Sequence, residues 1–454
     1  MDQRYTRLVD QLQTGAIDRR NFIVRAFALG ISTSIIGSAL RASGAAAQDA
    51  TPEAAEVIGN PDIEHLTTTD KGTIKIYSSW PLTGSYELLG GDAVEAIKLA
   101  LADYGNAAGG YAIEYTALDD GIAANNGGWD PGAESANANT VIADPDAMVY
   151  MATYNSGAAK ISIPIMNEAG MAMISYANTY PGLTKPGYEE GEPDVYYPSG
   201  KRNYMRPVPA DDIQGAAGAK WAVESKGATK AYILDDQSLY GHGVAQVFND
   251  SFLELGGEVL GFEGYDPKAP DYQALMTKIA DAGPDILYVG ATVDNNAPKL
   301  MLDFRSLMPA DQVTFLGPDG LVNQAFIDGA GDAANGAFVT FAGLPPSALL
   351  AQGGLGADYV NRITEIVGHS PDSYATYAYE TAIAVLQAID KAGTNDRAAI
   401  LDALFSTENF HSRLGGTWSF TDTGDTDSLV MSVNEIKPGA DGALAIEYIE
   451  PIGA

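Results

Sequence analysis

Short apolar runs alternate with longer helical segments from residue 72 to residue 345. The apolar runs predict strands at Thr73–Ser78, Ile113–Leu118, Ala147–Met151, Met171–Ser175, Ala231–Leu234, Glu258–Phe262, Ile286–Val289, Thr314–Leu316 and Ala337–Phe341. The segments between them predict helices at Asp92–Tyr104, Ala158–Glu168, Gly215–Ser225, Gly243–Leu255, Tyr272–Ala282 and Ala297–Leu307. Nearly continuous apolar strands separated by helices are typical of parallel sheets covered on both faces. So many strands exceed one ordinary doubly wound sheet, and the pattern predicts two α/β lobes.

The pattern changes in the last third of the chain. Three helices are predicted there, followed by three strands: Tyr359–Val367, Ser373–Ala392 and Asp396–Phe405, then Gly416–Phe420, Leu429–Ile436 and Ala445–Ile449. The segment Asp422–Asp427 superficially resembles a calcium loop. It lacks the spacing and the glutamate of such a loop, which favours a tight turn between strands.

Composition narrows the possible functions. The 454 residues include no cysteine and carry a formal net charge of −33. Disulfides, thiolate catalysis, cysteine-ligated metals and a lipid anchor on an N-terminal cysteine are therefore excluded. The acidity argues against nucleic acid or an anionic membrane as a partner, since both require a basic surface.

Residues 1–47 have the features of an export signal. Arg19 and Arg20 form a twin-arginine motif, a mildly apolar stretch follows, and three alanines precede Gln48. This order predicts a twin-arginine translocase substrate that signal peptidase cleaves after residue 47. The alternative is an uncleaved membrane anchor, which the shortness of the apolar run and the small residues after it disfavour. Residues 48–71 are predicted to be a flexible leader, and the mature protein is expected outside the cytoplasm.

The chain contains none of the common catalytic signatures. It has no P-loop, no G-x-G-x-x-G after a strand, no H-E-x-x-H and no G-x-S-x-G. The four histidines are scattered and lack the spacing of metal ligands. We therefore expect no enzyme activity, no metal and no cofactor.

Small hydroxyl residues follow two predicted strands directly. Ser156 comes soon after the strand that ends at Met151, and Thr179 follows the strand that ends at Ser175. Ligands of parallel α/β sheets bind beyond the carboxyl ends of strands, where hydroxyls and free backbone N–H groups could hold a carboxylate. The residues alone leave a second interpretation equally open, in which both are ordinary helix N-caps.

The order of several motifs resembles the periplasmic binding proteins for branched-chain amino acids, which serve ABC importers. The motifs span most of residues 72–450: Ser79–Gly84, Asp119-Asp120, Tyr154–Gly157, Ser175–Thr179, Asp235–Gly241 and Phe315–Gly320. The resemblance implies two doubly wound lobes joined by three crossing segments, with the ligand enclosed between them. It places lobe 1 at residues 72–208 plus 343–428 and lobe 2 at residues 209–342 plus 429–454.

The resemblance also implies roles for individual residues. Ser156 and Thr179 would hold the ligand carboxylate, Ala177 would offer a backbone carbonyl to the ammonium, and Asp319 would pair with that ammonium. Tyr240 would close over the ligand, and the side-chain pocket would be walled by Tyr154, Tyr86 and Leu89. Without the resemblance, Asp319 is also readable as a turn residue of Pro318-Asp319-Gly320.

These observations lead to the expectation of a monomeric solute-binding protein that captures a small amino acid, branched-chain or otherwise apolar, for the permease of an ABC importer. The alternative is a receptor for amides, urea or other small polar solutes, which would not need the acid at position 319. The Pro- and Tyr-rich stretch Pro181–Asn203 is longer than in compact relatives. It is expected either to cover the cleft mouth or to form a surface excursion.

Overall fold

The computed structural model describes residues 58–439 and 442–453. The predicted signal peptide, residues 1–47, lies outside the described residues, as do residues 48–57 of the predicted leader. The described part of that leader is hydrogen-bonded to distant residues. The backbone N–H of Asn60 donates to Gln387 Oε1 (2.8 Å), and that of Leu66 donates to Asp390 Oδ1 (3.1 Å). The local composition gives no sign of these contacts, because the partners lie more than 300 residues away.

Fifteen strands lie within the described residues. They are β1 (Thr73–Trp80), β2 (Ala107–Ala108), β3 (Tyr111–Asp119), β4 (Ala147–Ala152), β5 (Ala172–Ile174), β6 (Tyr204–Met205), β7 (Lys230–Asp235), β8 (Glu258–Gly264), β9 (Ile286–Gly290), β10 (Thr314–Gly317), β11 (Ala337–Phe341), β12 (Phe410–His411), β13 (Thr417–Trp418), β14 (Ser432–Pro438) and β15 (Leu444–Pro451). Every predicted strand has a counterpart. The two-residue strands β2, β6 and β12 were not predicted, because two residues are too short to show a pattern.

Twelve α-helices accompany these strands in the described part of the chain. They are α1 (Glu87–Asp103), α2 (Pro131–Ala143), α3 (Ser156–Glu168), α4 (Asp211–Glu224), α5 (Leu239–Glu254), α6 (Gln273–Ala282), α7 (Ala297–Leu307), α8 (Gln324–Ala330), α9 (Pro346–Gln352), α10 (Gly354–Val367), α11 (Ala375–Ala392) and α12 (Arg397–Phe405). Short 3-10 turns occur at Gly84–Tyr86, Ala123–Asn125, Pro181–Leu183, Asp194–Tyr196, Asp319–Leu321 and Gly331–Ala334.

Two sheets with mostly parallel strands organise the fold. The first has the strand order β2-β3-β1-β4-β5-β6, and the second has the order β15-β14-β11-β10-β9-β7-β8. Strands β4 and β9 are buried along their whole length, as expected for parallel strands covered by helices on both faces. The prediction of two doubly wound α/β layers is confirmed.

The chain passes between the two sheets three times. It leaves the first sheet after β6 and returns after β11, so that α10 and α11 pack against α1 and α12 packs against β4 and β5. It then crosses again to β14, which pairs antiparallel with β11. Because neighbouring strands within each sheet are mostly parallel, the loops that follow them lie together at the carboxyl ends of the strands. Ligands of such sheets usually bind at this edge.

Candidate functional site

A small cavity lies among loops that follow the strands of both sheets. Together with the solvent at its mouth, it comprises about 250 Å³ of space not filled by protein atoms. Ten described residues line it: Tyr154, Asn155, Ser156, Ala177, Thr179, Tyr240, Thr292, Asp319, Gly320 and Tyr374. The first five follow β4 and β5 of the first sheet, and the next four follow β7, β9 and β10 of the second. Six of the eight residues predicted for the site are therefore brought together here.

The two loops of the first sheet are tied to one another by buried side chains. The Asn178 amide donates to the carbonyl oxygens of Thr153 and Tyr154, both at 2.8 Å. The Ser175 hydroxyl donates to Thr153 O (2.6 Å) and accepts from Ala177 N (3.1 Å). These bonds fix the loop that carries Ala177 and Thr179 beside the loop that carries Ser156.

Ser156 and Thr179 are both buried at the cavity. Ser156 is the first residue of α3, whose N-cap is Asn155, and no described side chain caps this helix end. Thr179 precedes the 3-10 turn Pro181–Leu183, whose N-cap is Tyr180. The interpretation of both residues as helix caps is therefore wrong. An uncapped helix start beside two hydroxyls is well suited to an anionic group.

Asp319 lies opposite, at the start of the 3-10 turn that follows β10. Its carboxylate accepts hydrogen bonds from the hydroxyls of Tyr240 and Tyr374. The Gly320 N–H donates to the Tyr240 hydroxyl (2.8 Å), so the tyrosine is itself held in place. We call Tyr240, Asp319, Gly320 and Tyr374 the acid wall. The residues Tyr154, Asn155, Ser156, Ala177 and Thr179 form the hydroxyl wall.

A second carboxyl group lies behind the acid wall. With its amide oriented to suit its neighbours, Gln214 donates to Asp211 Oδ1 (3.0 Å) and to Asp319 Oδ1 (3.1 Å). Burial raises the pKa of Asp319 above its ordinary value, and hydrogen bonds from Tyr240 and Tyr374 partly offset the effect. Burial and the neighbouring Asp319 raise the pKa of Asp211 well above its ordinary value. The acid wall thus combines a buried carboxyl group with two tyrosine hydroxyls that donate hydrogen bonds to it.

Asp236 organises the second-sheet side of the cavity. Its carboxylate accepts from the Ser238 hydroxyl (2.6 Å), from Thr292 N (3.0 Å) and from the Asn295 amide (2.7 Å). Ser238 in turn caps α5 through Gly241 N, which places Tyr240 in the first turn of that helix. A Cβ at Gly241 would lie 2.1 Å from Asp236 Oδ1, so glycine is required for this approach.

Aromatic rings back the hydroxyl wall. Tyr154 contacts Tyr86 and Tyr374 edge-on, with ring centroids 5.3 Å and 5.7 Å apart. Tyr86 is fully buried and its hydroxyl donates to Asp294 Oδ1 (2.5 Å), beyond β9 of the other sheet. Tyr86 and Leu89 are not among the lining residues: Tyr86 supports Tyr154 from behind, and Leu89 packs in the hydrophobic core.

Tyr374 and Gly320 also line the cavity, and neither was predicted from the sequence. Tyr374 precedes α11 and reaches Asp319 from the side of the first sheet, although 55 residues separate the two along the chain. Position 374 lies in no recognised motif, and a tyrosine at the start of an apolar helix is usually a core residue. Gly320 lies inside the motif that identified Asp319, but a glycine offers no side-chain chemistry to recognise.

Two further residues, Asn155 and Thr292, also line the cavity without having been assigned to the site. Asn155 lies inside a predicted ligand loop, directly between Tyr154 and Ser156. Thr292 lies just after β9 of the second sheet. In the structure its backbone N–H is held by Asp236, which keeps it at the cavity.

A buried ion pair fixes the place where the chain crosses between the sheets. Arg206 is fully buried; its Nε donates to Asp425 Oδ1 (2.7 Å), and its Nη1 donates to Tyr180 O (2.8 Å). Burial opposes ionisation of Asp425, but Arg206, Lys185 and the Thr423 hydroxyl together outweigh burial and lower the pKa of that carboxyl. The predicted turn at residues 422–427 therefore holds two crossing segments together through the ion pair of Asp425 with Arg206.

The long stretch Pro181–Asn203 packs beside these crossing segments. Thr184 accepts from Arg206 Nη2 (2.7 Å), and Lys185 pairs with Asp212 at the start of α4 (2.6 Å). The carboxylate of Glu192 is buried within the stretch, where it accepts from the hydroxyls of Tyr180 (2.9 Å) and Tyr196. None of these residues is among the described residues that line the cavity.

Two features are missing from the part of the chain that the structure describes. No group of three or more histidine and acidic side chains in residues 58–439 and 442–453 is arranged to hold a metal ion. Within the same ranges, no helix has the length and apolar character needed to cross a membrane.

Comparisons with known proteins agree with this architecture. A "Leu/Ile/Val-binding protein homolog 2" of Brucella abortus is 29% identical over 365 residues, which cover 80% of this chain and 90% of the relative. A leucine-binding protein of Thermotoga maritima superposes with a TM-score of 0.71 at 23% identity, covering 84% of this chain and 99% of its own. A solute-binding protein of an ABC transporter from Rhodopseudomonas palustris, solved with p-hydroxybenzoic acid, gives 0.70 at 19% identity over 84% and 97%. At these identities the two solved structures support the fold alone.

The family model described as "Periplasmic binding protein" matches residues 73–441. That range contains both sheets' parallel strands, the crossing segments and all ten lining residues of the cavity. The resemblance found in the sequence is thereby confirmed, and the chain belongs to the periplasmic binding protein family.

Proposed function

We propose that this protein captures a small amino acid in the cavity and delivers it to an ABC importer. The observation that carries the proposal is that Ser156, Thr179 and Asp319 line one cavity, although 163 residues of chain separate the first from the last. Their arrangement supports a ligand with an anionic and a cationic end. The name of the Brucella relative, which refers to leucine, isoleucine and valine, supports an amino acid.

The chemistry of a free amino acid matches the two walls. A zwitterion can be buried only if both of its charges find partners. The hydroxyls of Ser156 and Thr179 and the uncapped start of α3 would receive the carboxylate. Asp319 and the Ala177 carbonyl would receive the ammonium, through charge-assisted hydrogen bonds. A neutral amide would have no use for a carboxylate held by two tyrosines, which weighs against the alternative of an amide or urea receptor.

We also propose that the two lobes close over the ligand. Lobe 1 would comprise residues 72–208 plus 343–428, and lobe 2 residues 209–342 plus 429–454. Two hydrogen bonds support closure because they join the two sheets' sides across the cavity: Tyr374 to Asp319, and Tyr86 to Asp294 (2.5 Å). A hinge motion would break and remake these bonds as the ligand enters and leaves.

The proposed role is binding without chemistry, outside the cytoplasm. A twin-arginine signal peptide and signal peptidase would deliver the mature monomer there, and the closed form would dock on the membrane permease. No bond of the ligand would be broken, since the cavity presents a charge-pairing site rather than a nucleophile with its base.

A thermal-shift panel tests the proposal directly. The mature protein is melted with each proteinogenic L-amino acid and with acetamide, urea and benzoate as comparison solutes. A ligand that binds only the folded state raises the melting temperature. At a ligand concentration one hundred times the dissociation constant, the free energy of unfolding increases by about 2.7 kcal/mol. We expect one or more small amino acids to raise it and the comparison solutes not to. A shift with the amides or benzoate and none with any amino acid would overturn the proposal.

A further inference from the structure

The stretch Pro181–Asn203 bridges the layers of the two sheets beside the cavity, although none of its residues lines the cavity. The ammonium of its Lys185 bonds to Asp212 Oδ2 (2.6 Å), in the first turn of α4. The α4 helix belongs to the layer of the second sheet, where it packs against α5 and β11, whereas the stretch itself lies between β5 and β6 of the first sheet. The stretch is therefore a link between the two layers in addition to the crossing segments.

Tyr180, directly before this stretch, also packs against the second layer. Its ring lies on α5 at Gly243, where a Cβ would come within 2.8 Å of Tyr180 Cδ2, so glycine is required at this position of the helix. Leu239, the first residue of α5, packs against a buried cluster that includes Tyr180, Leu183 and Tyr196. The link between the layers is thus apolar as well as ionic.

The same tyrosine contacts the hydroxyl wall. The backbone N–H of Tyr180 donates to the Ser156 hydroxyl (3.3 Å), and Tyr180 follows Thr179 directly in the chain. A shift of Tyr180 would therefore move both hydroxyls that are proposed to receive the ligand carboxylate. Tyr180 thus connects the place where the ligand would be held with the place where the two layers touch.

Glu192, in the middle of the stretch, fixes the position of the Tyr180 ring. Its buried carboxylate accepts hydrogen bonds from the hydroxyls of Tyr180 (2.9 Å) and Tyr196. Lys160 on α3 lies 3.3 Å from the same carboxylate, and α3 is the helix that begins at Ser156. Glu192 is therefore bonded to both segments that carry the hydroxyl wall. Hydrogen bonds to a charged group are about twice as strong as neutral ones, which suits a residue that positions others.

We propose that residues 181–203 form a strap that favours the closed cleft, and that Glu192 is the positioning residue through which the strap holds the hydroxyl wall. This inference rests on the proposed function, since it names a part that governs closure of the same site. In the closed form, Lys185 and Tyr180 contact α4 and α5. When the layers separate, Tyr180 loses its support on α5 and the Ser156 hydroxyl is held less firmly. Closure and capture of the carboxylate therefore favour one another.

Lys185→Met tests the strap without any ligand. The chain has no cysteine, so Glu168→Cys and Glu254→Cys, at the exposed ends of α3 and α5, would carry the only two spin labels. Double electron–electron resonance on the mature protein should show the population with the longer label-to-label distance increased about two- to fivefold by Lys185→Met, in keeping with a surface ion pair. Lys185→Arg should restore the original distribution.

Lys278→Met is the matched control for this measurement. Lys278 forms an ion pair of the same length with Glu263 (2.6 Å), but both residues belong to the layer of the second sheet. Its loss should leave the distance between the labels unchanged. Identical distance distributions in Lys185→Met and Lys278→Met would overturn the strap.

Glu192→Gln tests the positioning role. Isothermal titration should show L-valine binding weakened by about tenfold, whereas binding of L-valinamide, which lacks the carboxylate, should weaken by less than about threefold. A residue that only supported packing would weaken both ligands equally, and that result would overturn the role of Glu192. Glu190→Gln, at an exposed position of the same stretch, should change neither dissociation constant.

Two further outcomes separate this inference from the proposed function. If Glu192→Gln does not fold, Tyr196→Phe removes only one of the hydrogen bonds to Glu192 and should give the same preference at a smaller scale, a loss of about threefold for L-valine. Binding of no amino acid by the unmodified protein would refute the proposed function. The label distances of the ligand-free Lys185 variants would still decide whether the strap exists.

Discussion

The acid wall and the hydroxyl wall face one cavity but are built on opposite plans. In the acid wall, Asp319 accepts hydrogen bonds from Tyr240 and Tyr374. Gln214, behind this wall, also donates to Asp319. In the hydroxyl wall the Asn155 side-chain oxygen is buried without a hydrogen-bond partner among the described residues. Different loops hold the two walls: those after β4 and β5 carry the hydroxyl wall, and those after β7 and β10 carry most of the acid wall.

The difference follows from the cost of burying a charge. An ionised carboxylate without partners is far more expensive to bury than a neutral hydroxyl, so the protein must supply donors for Asp319 in advance. A neutral hydroxyl or amide can be buried without a hydrogen-bond partner at a cost of only about 1–3 kcal/mol. The acid wall would therefore receive the ammonium and the hydroxyl wall the carboxylate, two groups that every free amino acid carries.

The largest expected effect comes from removing the charge of the acid wall. Asp319→Asn keeps the shape of the side chain but cannot form a charge-assisted bond to an ammonium. Binding of the best amino acid should weaken by about 10- to 100-fold, measured by isothermal titration. Asp332→Asn is the control, since Asp332 is exposed in the turn Gly331–Ala334. If Asp319→Asn bound as tightly as the control, Asp319 would not face the ammonium.

A smaller loss is expected at the opposite pole. Thr179→Val removes a hydroxyl from the hydroxyl wall while keeping a branched side chain of similar volume. Binding should weaken by about tenfold, because one donor to the carboxylate is lost, and Thr179→Ser should retain most of the affinity. Equal losses in the valine and serine variants would point to packing rather than to the hydroxyl.

A still smaller effect should follow when the acid wall loses one of its own donors. Tyr374→Phe leaves Asp319 with Tyr240 and Gln214, so the carboxylate remains anchored but less firmly. We expect about fivefold weaker amino acid binding, because Asp319 loses one of several hydrogen bonds that position it. Tyr377→Phe, whose hydroxyl is buried and unpaired one turn further along, should have no effect on titration. A loss in Tyr374→Phe no greater than in this control would remove Tyr374 from the site.

The fourth prediction concerns stability rather than binding. Burial raises the pKa of Glu134 to about 7, although Ser79 Oγ (2.6 Å) and Tyr150 (3.0 Å) donate to it. The folded state then holds a proton that the unfolded chain has released. The contribution of Glu134 to stability is therefore complete below about pH 4.5 and lost as the pH rises through about 7, and the buried Asp120 beside it, whose pKa is also raised, acts in the same direction.

Melting curves with and without Glu134 isolate this contribution. The unliganded protein should melt at a higher temperature at pH 5 than at pH 8, and Glu134→Gln should reduce the difference. Glu114→Gln, at an exposed position of β3, should not. A pH dependence identical in Glu134→Gln and in the unmodified protein would show that other groups cause it.

Much of the architecture was predictable because buried parallel strands have a recognisable composition. β4 and β9 are continuous apolar runs. The helix α2 was not predicted, because its apolar residues are hardly segregated to one face. The two-residue strand β6 could not be predicted, because it depends on pairing with β5 rather than on its own sequence. The contacts of residues 58–71 with α11 were equally hidden, since they join segments far apart along the chain.

The site was predictable where a loop directly follows a strand. Ser156, Ala177, Thr179 and Asp319 all lie within such loops, and the topology gathers them at the carboxyl ends. Tyr374 was missed because it enters from a helix of another segment and bonds to Asp319 only in the folded chain. Tyr86 was expected to line the pocket, but its ring packs behind that of Tyr154. The sequence does not distinguish a lining ring from the ring behind it.

Titration of L-valine beside two analogues that each lack one charge tests the central claim most directly. 3-Methylbutanoate lacks the ammonium and isobutylamine lacks the carboxylate, while both keep the branched side chain. If the cavity holds both ends of a zwitterion, each analogue should bind at least about 100-fold more weakly than L-valine. Binding of 3-methylbutanoate as tight as that of L-valine would show that the acid wall does not receive an ammonium, and would contradict the account.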